Sequence, residues 1–479
     1  MAPQSHAEAP SPEAPTSAAP AKGELTADVA VIGGGVVGHA IAWQALQTGR
    51  SVVLVDDAPG SGASWAAAGM LAPVSELHYQ EQELLELMLE ASRLWPDFAA
   101  GLAAASSTGT GYLTTPTLAV GADPADRQAL ADLRAVQTAN GLVVEALSVR
   151  EARSREPLLT PGISCAFDIP ADHQVDPRRL LAAMATAFAG DAFPEGASPE
   201  SIDGSAAAAP TEAQAARAGT GRSARERGAG LLWEEERVAG IVLGSGRSIR
   251  AGETVVANGL GAGELDGLPA GLRLPLRPVY GDILRLRVPR HLQPLLSSTV
   301  RGLVHGVPVY IVPRDDGTVV IGATQREDAL GVTSSERAVS AGGVYQLLRD
   351  AQVLVPGVAE LELLECTTRA RPATPDNAPL LGRVAASSGG PDIPGLIIAT
   401  GFFRHGILLA PAAAAICSQL MEGRADRRWA AFRPDRFSGT LSRKSIPRTP
   451  DQQTRQQQTM PSAAAVKASG TTLPTKETT

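Results

Sequence analysis

Gly33-Gly34-Gly35-Val36-Val37-Gly38 has the spacing GxGxxG, and an acid, Asp56, follows the next apolar run. This pattern suits a phosphate-bearing dinucleotide. The first glycine permits a tight turn, and the second lets backbone approach a pyrophosphate. The third lets a helix pack closely on the preceding strand. The helix start then presents N–H groups and a positive dipole end to the phosphates. Asp56 can accept hydrogen bonds from ribose hydroxyls, which argues against a 2′-phosphate. A different chemistry, carboxylate binding, calls for the planar fork of an arginine. The chain carries 42 Lys and Arg residues, so composition does not choose among them.

The elements that must position these residues are legible around them. Asp28–Ile32 reads as a buried strand, Val37–Gln47 as a helix that Gly49 can end, and Ser51–Asp56 as a second strand. Together they predict a βαβ unit with parallel strands. Gly62–Leu71 (GASWAAAGML) is built from small residues that let backbone run beside a large flat ligand. It equally suits a helix start with Ser64 as N-cap. Amphipathic helices are predicted over Glu83–Ala100 and Arg178–Phe188. Strands are predicted over Asp282–Val288, Val309–Pro313 and Thr318–Gly322, the last two joined by the hairpin turn Asp315-Asp316-Gly317.

Composition bounds the answer. The chain has 479 residues, enough for one large α/β unit or two intertwined domains. A net charge of −8 without a basic block argues against nucleic acid or an anionic membrane as partner. Cys165, Cys366 and Cys417 form neither a CxxC pair nor a metal spacing, so no metal is expected and a reducing, cytoplasmic setting fits. The N-terminus lacks the pattern of a secretory signal. No stretch reaches the ~20 apolar residues of a membrane span; Gly395–Leu420 comes nearest and is interrupted by Arg404 and His405. Residues 1–25, 203–230 and 437–479 are expected to be disordered, because their composition buries too little surface to offset chain entropy. A short helix over Pro210–Arg217 is the alternative within the middle segment.

GASWAAAGMLAPVSE resembles the flavin-contacting segment of the D-amino-acid-oxidase-like flavoenzymes, and most nearly that of the glycine oxidase branch of the thiamine pathway. Six further blocks agree in order: HQVDPRRLLAAM, VVANGLGA, RPVYGDILRL, VYIVPRDDGTVVIGAT, ARPATPDNAPLLGR and ATGFFRHGILLAP. The resemblance covers nearly all of residues 26–432 apart from the insertion. It implies an α/β fold in which a Rossmann-like FAD-binding domain (26–108, 160–265 and 368–432) interleaves with a mixed or antiparallel substrate domain (109–159 and 266–367).

The same resemblance implies non-covalent FAD. Its contacts would be Gly33, Gly35, Val36, Val37, Gly38, Asp56, Asp57, Ala63, Ser64, Ala68, Gly69, Met70, Phe402, Phe403, Arg404, His405, Gly406, Ile407 and Leu408. Arg371 would clamp the carboxylate of a small amino-acid substrate, with Tyr310 donating to the same group. Arg404 would face the amino end, more through its backbone carbonyl than its guanidinium, and Met70 would line the cavity over the flavin. The implied reaction converts glycine, O2 and water to glyoxylate, ammonia and H2O2, with the Cα hydrogen leaving as hydride. No acid or base is obligatory, so His305 and His405 are not assigned that role. Helix N-terminal N–H groups at Gly406 and Ile407 would stabilise a reduced flavin. Pro308 departs from the pattern, which has a histidine two residues before the tyrosine, and the adenine-side strand is not assignable. Rival readings are a sibling oxidase or dehydrogenase for sarcosine, proline or a D-amino acid, an NAD-dependent dehydrogenase, and a non-catalytic FAD-binding subunit. A homo-oligomer stays open.

Overall fold

The computed structural model describes residues 25–77, 81–189, 220–327, 338–386 and 390–438. The expected tail over 1–24, the Pro210–Arg217 helix, most of the insertion and residues 439–479 lie outside the described residues.

Apolar β-branched runs build the first sheet. Strands β1 (Leu25–Ile32) and β2 (Val52–Val55) flank helix α1 (Val36–Gln47), forming the expected parallel βαβ unit. The two strands bury Val29–Ile32 and Val52–Val55 almost completely, as a sheet covered on both faces requires. Helix α1 is apolar nearly all round. It packs against α6 (Pro177–Ala189) and α8 (Ala410–Met421), so its outer face also lies in the core. The sheet order is β17-β18-β11-β1-β2-β8, with β17 (Leu380–Gly382), β18 (Leu396–Thr400), β11 (Ser248–Val256) and β8 (Gly221–Ala224). Strands β18, β11, β1, β2 and β8 run parallel. Antiparallel β9 (Gly228–Glu234) and β10 (Arg237–Leu243) branch from β11.

The second sheet is mostly antiparallel, in the order β16-β12-β15-β14-β13-β4-β6-β5. Its strands are β4 (Thr117–Gly121), β5 (Glu145–Leu147), β6 (Cys165–Ile169), β12 (Arg277–Arg287), β13 (Thr299–Val304), β14 (Val307–Pro313), β15 (Thr318–Gly322) and β16 (Glu362–Ala373). The expected hairpin joins β14 to β15. A two-stranded ribbon, β3 (Met70–Leu71) with β7 (His173–Gln174), ties the small-residue segment to the HQVDPRRL block. Helix α3 (Gln82–Ser106) carries Trp95, whose Nε1 donates to Leu408 O at 2.8 Å and fixes the GFFRHGILL segment.

Two boundaries differ from expectation. Strand β6 and the second half of β16, residues 368–373, pair in the second sheet, beyond the limits expected at 160 and 368. Residues 220–230, expected to be disordered, enter β8 and β9. Small polar residues form β8 because the open edge of β2 supplies its hydrogen bonds: Val52 N–H donates to Thr220 O at 2.9 Å and Asp56 N–H to Ala224 O at 3.1 Å. A Cβ at Gly221 would lie 2.4 Å from Phe188 O, so the glycine permits the approach. Tertiary pairing here overrides local composition. Among the described residues, no helix is long and apolar enough to cross a membrane.

Candidate active site

A cavity of about 820 Å³ is lined from both sheets. At one end lie the turn after β1 and Asp56 at the end of β2. At the other lie Tyr310, Arg371 and the 402–408 segment. Three glycines shape the first end differently. Gly33 sits at φ +110°, beside the backbone of Ala257. A Cβ at Gly38 would lie 1.8 Å from Gly33 O, so this glycine serves the packing of α1 on its strand. Gly38 does not line the cavity; it takes the packing role expected of the third glycine, and not the cofactor contact also expected of it. A Cβ at Gly35 would meet only Ser64 Oγ, at 3.4 Å, and otherwise point into open space. That bare backbone at a helix start is the cradle a pyrophosphate requires.

Asp56 accepts from Gly34 N–H at 2.5 Å and Ala58 N–H at 2.7 Å, which aims its carboxylate along the cavity rim. Asp57 lines the same end. Ser64 is not a helix N-cap for its own segment. Helix α2 (Ala63–Ala66) begins one residue earlier with Gly62 as cap, and Ser64 Oγ accepts from Val36 N–H at 3.1 Å. The serine thereby docks α2 on the start of α1. Ala63, Ser64, Ala68, Gly69 and Met70 all line the cavity. Gly69 takes φ +76°, and a Cβ there would lie 2.0 Å from Val175 O. Buried Asn258 Oδ1, also on the wall, has no hydrogen-bond partner among the described residues. It is an acceptor awaiting a donor, as the ribityl hydroxyls of a flavin would supply. The open cradle, the acid and the orphaned acceptor fit a flavin dinucleotide.

The other end is organised by register. Tyr310 on β14 faces Gly322 on β15 and Arg301 on β13. A Cβ at Gly322 would lie 2.4 Å from the Tyr310 hydroxyl, so the glycine makes room for the ring. Burial pushes this phenol up to about 12, with Arg371 offsetting part of the rise, so Tyr310 is a neutral donor at ordinary pH. Arg371 on β16 reaches Thr324 O at 3.5 Å and makes no ion pair with a carboxylate among the described residues. Met70, Tyr310 and Ala323 pack against one small apolar cluster that includes Ala66, Ala68 and Ile283. Tyr310, Arg371, Met70 and Arg404 all line the one cavity.

The Arg404 guanidinium is taken by two carboxylates, with Nε 2.8 Å from Glu76 and Nη2 2.7 Å from Glu81. It is therefore a wall element whose charge is met within the chain. Phe402, Phe403, His405, Gly406, Ile407 and Leu408 line the cavity beside it. Phe403 has φ +47°, a conformation that bulky residues seldom adopt and that tends to be found at functional sites. The regular helix expected to begin near Gly406 starts instead at Ala410. Before it come a 3-10 turn, Phe403–His405, and the closure of Leu409 N–H on His405 O at 2.8 Å. Leu409 and Ala410 are committed to the tightening turn, which moves the helix start past the cavity wall. His305 lies on the β13–β14 turn, 2.8 Å from Asp123 through Nδ1, and does not line the cavity.

Four cavity-lining residues, Glu76, Glu81, Arg301 and Asn377, and one buried residue off the wall, Arg314, escape sequence reasoning. Glu76, Glu81 and Arg301 form one ion-pair chain with Arg404. Arg301 and Glu76 are 225 residues apart, so no local pattern signals the pair. Asn377 extends the chain by donating to Glu81 at 3.2 Å. Buried Arg314, just after the expected β14 strand, donates to Gln174 Oε1 at 2.8 Å, to Val175 O at 3.2 Å and to Ala68 O. It locks the hairpin onto the small-residue segment. Among the described residues, no group of three or more His, Cys, Asp or Glu side chains could hold a metal ion.

Comparison with known proteins identifies the family. Glycine oxidase of Geobacillus kaustophilus is 31% identical over 405 residues, spanning 82% of this chain and 93% of that protein. The bifunctional protein ThiO/ThiG of Trichormus variabilis is 30% identical over 87% of this chain, which spans 56% of that protein's length. The crystal structure of the G. kaustophilus glycine oxidase superposes with a TM-score of 0.71 at 29% identity, over 87% of this chain and all of that one. The family model described as FAD dependent oxidoreductase, DAO, matches residues 28–420. The chain belongs to the DAO family of FAD-dependent oxidoreductases.

Proposed function

We propose that this flavoenzyme oxidises a small amino acid with a single carboxylate, glycine or a near relative, at its Cα–N bond. The observation that carries this reading is Arg371: a cavity-lining guanidinium without a carboxylate partner among the described residues, beside the neutral donor Tyr310. Two such groups match the two oxygens of a substrate carboxylate. FAD, held by Gly33–Val37, Asp56, Asp57, Ala63, Ser64, Ala68–Met70 and Phe402–Leu408, supplies the acceptor for the Cα hydrogen. The chain supplies placement. With the carboxylate fixed at one end, the substrate's remaining bonds are restricted to few orientations, and orientation is a large part of such a rate enhancement. Met70, Ala66, Ala68 and Ile283 form an apolar surface near Tyr310 that limits access of water. The amine reacts as the neutral base and needs no dedicated protein base. Hydrolysis of the imine then gives an oxo acid and ammonia.

We take O2 as the final electron acceptor and thiazole synthesis as the pathway served, in keeping with the similarity to glycine oxidase and to ThiO/ThiG. The first sheet with its helices is taken as the FAD-binding part, and the second sheet as the substrate-binding part. The test is anaerobic mixing of the FAD-loaded chain with glycine, sarcosine and D-alanine. Bleaching of the flavin bands by glycine or sarcosine is expected. Bleaching by none of the three contradicts the reading, and a strong preference for a bulkier D-amino acid redirects it to a sibling oxidase.

A further inference from the structure

Arg277, Arg301, Arg369, Arg371 and Arg404 line the cavity, and Arg301, Arg371 and Arg404 differ in how their charge is met. Arg301 and Tyr310 are direct cross-strand partners, so their side chains leave the same face of the sheet into the same cavity. Arg301 is ion-paired with Glu76, and Glu76 also holds Arg404 Nε at 2.8 Å. Glu81 takes the other side of Arg404, at 2.7 Å. Two carboxylates therefore neutralise two guanidinium groups, and Arg371 keeps its charge for a ligand.

Glu76 is well placed to hold this balance. The loop carrying it is pinned by fully buried Asp172, which accepts from Val74 N–H at 2.9 Å and Ser75 N–H at 3.0 Å. Burial alone would raise the Glu76 carboxyl, but Arg301, His405 and Arg404 outweigh it and hold it well below the usual range. The carboxylate thus stays charged at any working pH.

We propose that Glu76 is the charge-selecting residue of the substrate pocket. By neutralising Arg301 it restricts the pocket to amino acids with one carboxylate, and removing its charge frees Arg301 to take a second carboxylate. This rests on the reading that Arg371 and Tyr310 bind the first. With Arg301 and Arg404 paired to carboxylates, Arg371 is the cation beside Tyr310 left to meet a monoanion. With Arg301 released, two cations flank Tyr310 and a dianion is matched instead.

The test uses the full FAD-loaded chain and two unreactive probes, glycolate with one carboxylate and diglycolate with two. Affinities are read by calorimetry and by perturbation of the flavin spectrum, so turnover is not needed. The wild type is expected to bind glycolate more tightly. Glu76→Gln is expected to shift the glycolate-to-diglycolate ratio toward diglycolate by at least about tenfold, the effect of one charge-assisted contact. Adding Arg301→Gln to Glu76→Gln is expected to remove that gain. Glu76→Ser is read in the same way if the glutamine variant does not fold. A ratio unchanged within about twofold, or a gain that survives loss of Arg301, overturns the proposal; a purely structural Glu76 would weaken both probes alike. Arg371→Ala serves as control. If glycolate binding survives it, the carboxylate-clamp reading fails, independently of the ratio seen in the Glu76 variants. Failure of the wild type to bind glycolate overturns both.

Discussion

The Arg371 guanidinium occupies the space left by the missing side chain of Gly281: a Cβ at 281 would lie 2.3 Å from Nη2 and 2.4 Å from Nη1. The two residues are on neighbouring strands, with Gly281 opposite Arg369 and Arg371 opposite Val279. The glycine thus sets the position of the guanidinium although it carries no chemistry, and under the proposed function it belongs to the carboxylate site. Gly281→Ala is expected to push the guanidinium aside. Because a flexible side-chain end can yield, stability should change by no more than about 1 kcal/mol. KM for the amino acid should rise at least about tenfold with FAD content unchanged. Steady-state kinetics with flavin quantitation checks this, and an unchanged KM counts against the placement of Arg371.

Gly35 and Gly38 separate cofactor binding from folding. The Gly35 Cβ position faces open cavity, whereas the Gly38 Cβ position collides with Gly33 O. Gly35→Val is expected to give a folded, colourless protein whose FAD affinity has dropped at least about tenfold, an overpacking cost of more than about 1 kcal/mol. Gly38→Ala is expected to cost more than about 3 kcal/mol of stability. Melting curves with and without added FAD distinguish the two. Equal losses of fold in both variants would contradict the assignment of Gly35 to the cradle.

Asp172 gives stability a pH dependence. Burial pushes its carboxyl up to about 6, with backbone hydrogen bonds from Val74 and Ser75 opposing the rise. A carboxyl whose folded value exceeds its unfolded value of about 3.9 makes the fold bind protons more tightly than the unfolded chain. Its contribution is fully present below pH ~4 and is lost as pH rises through ~6, by about 3 kcal/mol at most. Denaturation of the wild type and Asp172→Asn from pH 4 to pH 7 should show this falling component in the wild type alone. Parallel slopes would contradict it.

How much of this was legible beforehand follows from what kind of contact each residue makes. The βαβ unit and its glycines were readable because strand, turn and helix are local and each glycine answers a local steric demand. Tyr310, Arg371 and Met70 were reached only through motif resemblance, since nothing in their immediate neighbours distinguishes them from core or surface residues. Glu76, Glu81 and Arg301 were missed because their partners come from distant segments. The alternative of Ser64 as N-cap does not hold because its hydroxyl serves the start of α1, not its own helix. Strand β8 was misread because an edge strand can be held by its neighbour's hydrogen bonds with little apolar burial of its own. The helix start after Phe403 was placed too early, because the closing 3-10 turn leaves no compositional mark.

The central claim is that Arg371 holds the substrate carboxylate beside the flavin. It is tested most directly by measuring KM, kcat and bound FAD for Arg371→Ala with the amino acid that bleaches the wild type. Loss of a bidentate charged contact should raise KM by about a hundredfold or more, equivalent to about 3 kcal/mol, while FAD stays stoichiometric. Loss of FAD with little change in KM for the remaining holoenzyme would place Arg371 at the cofactor and contradict the claim.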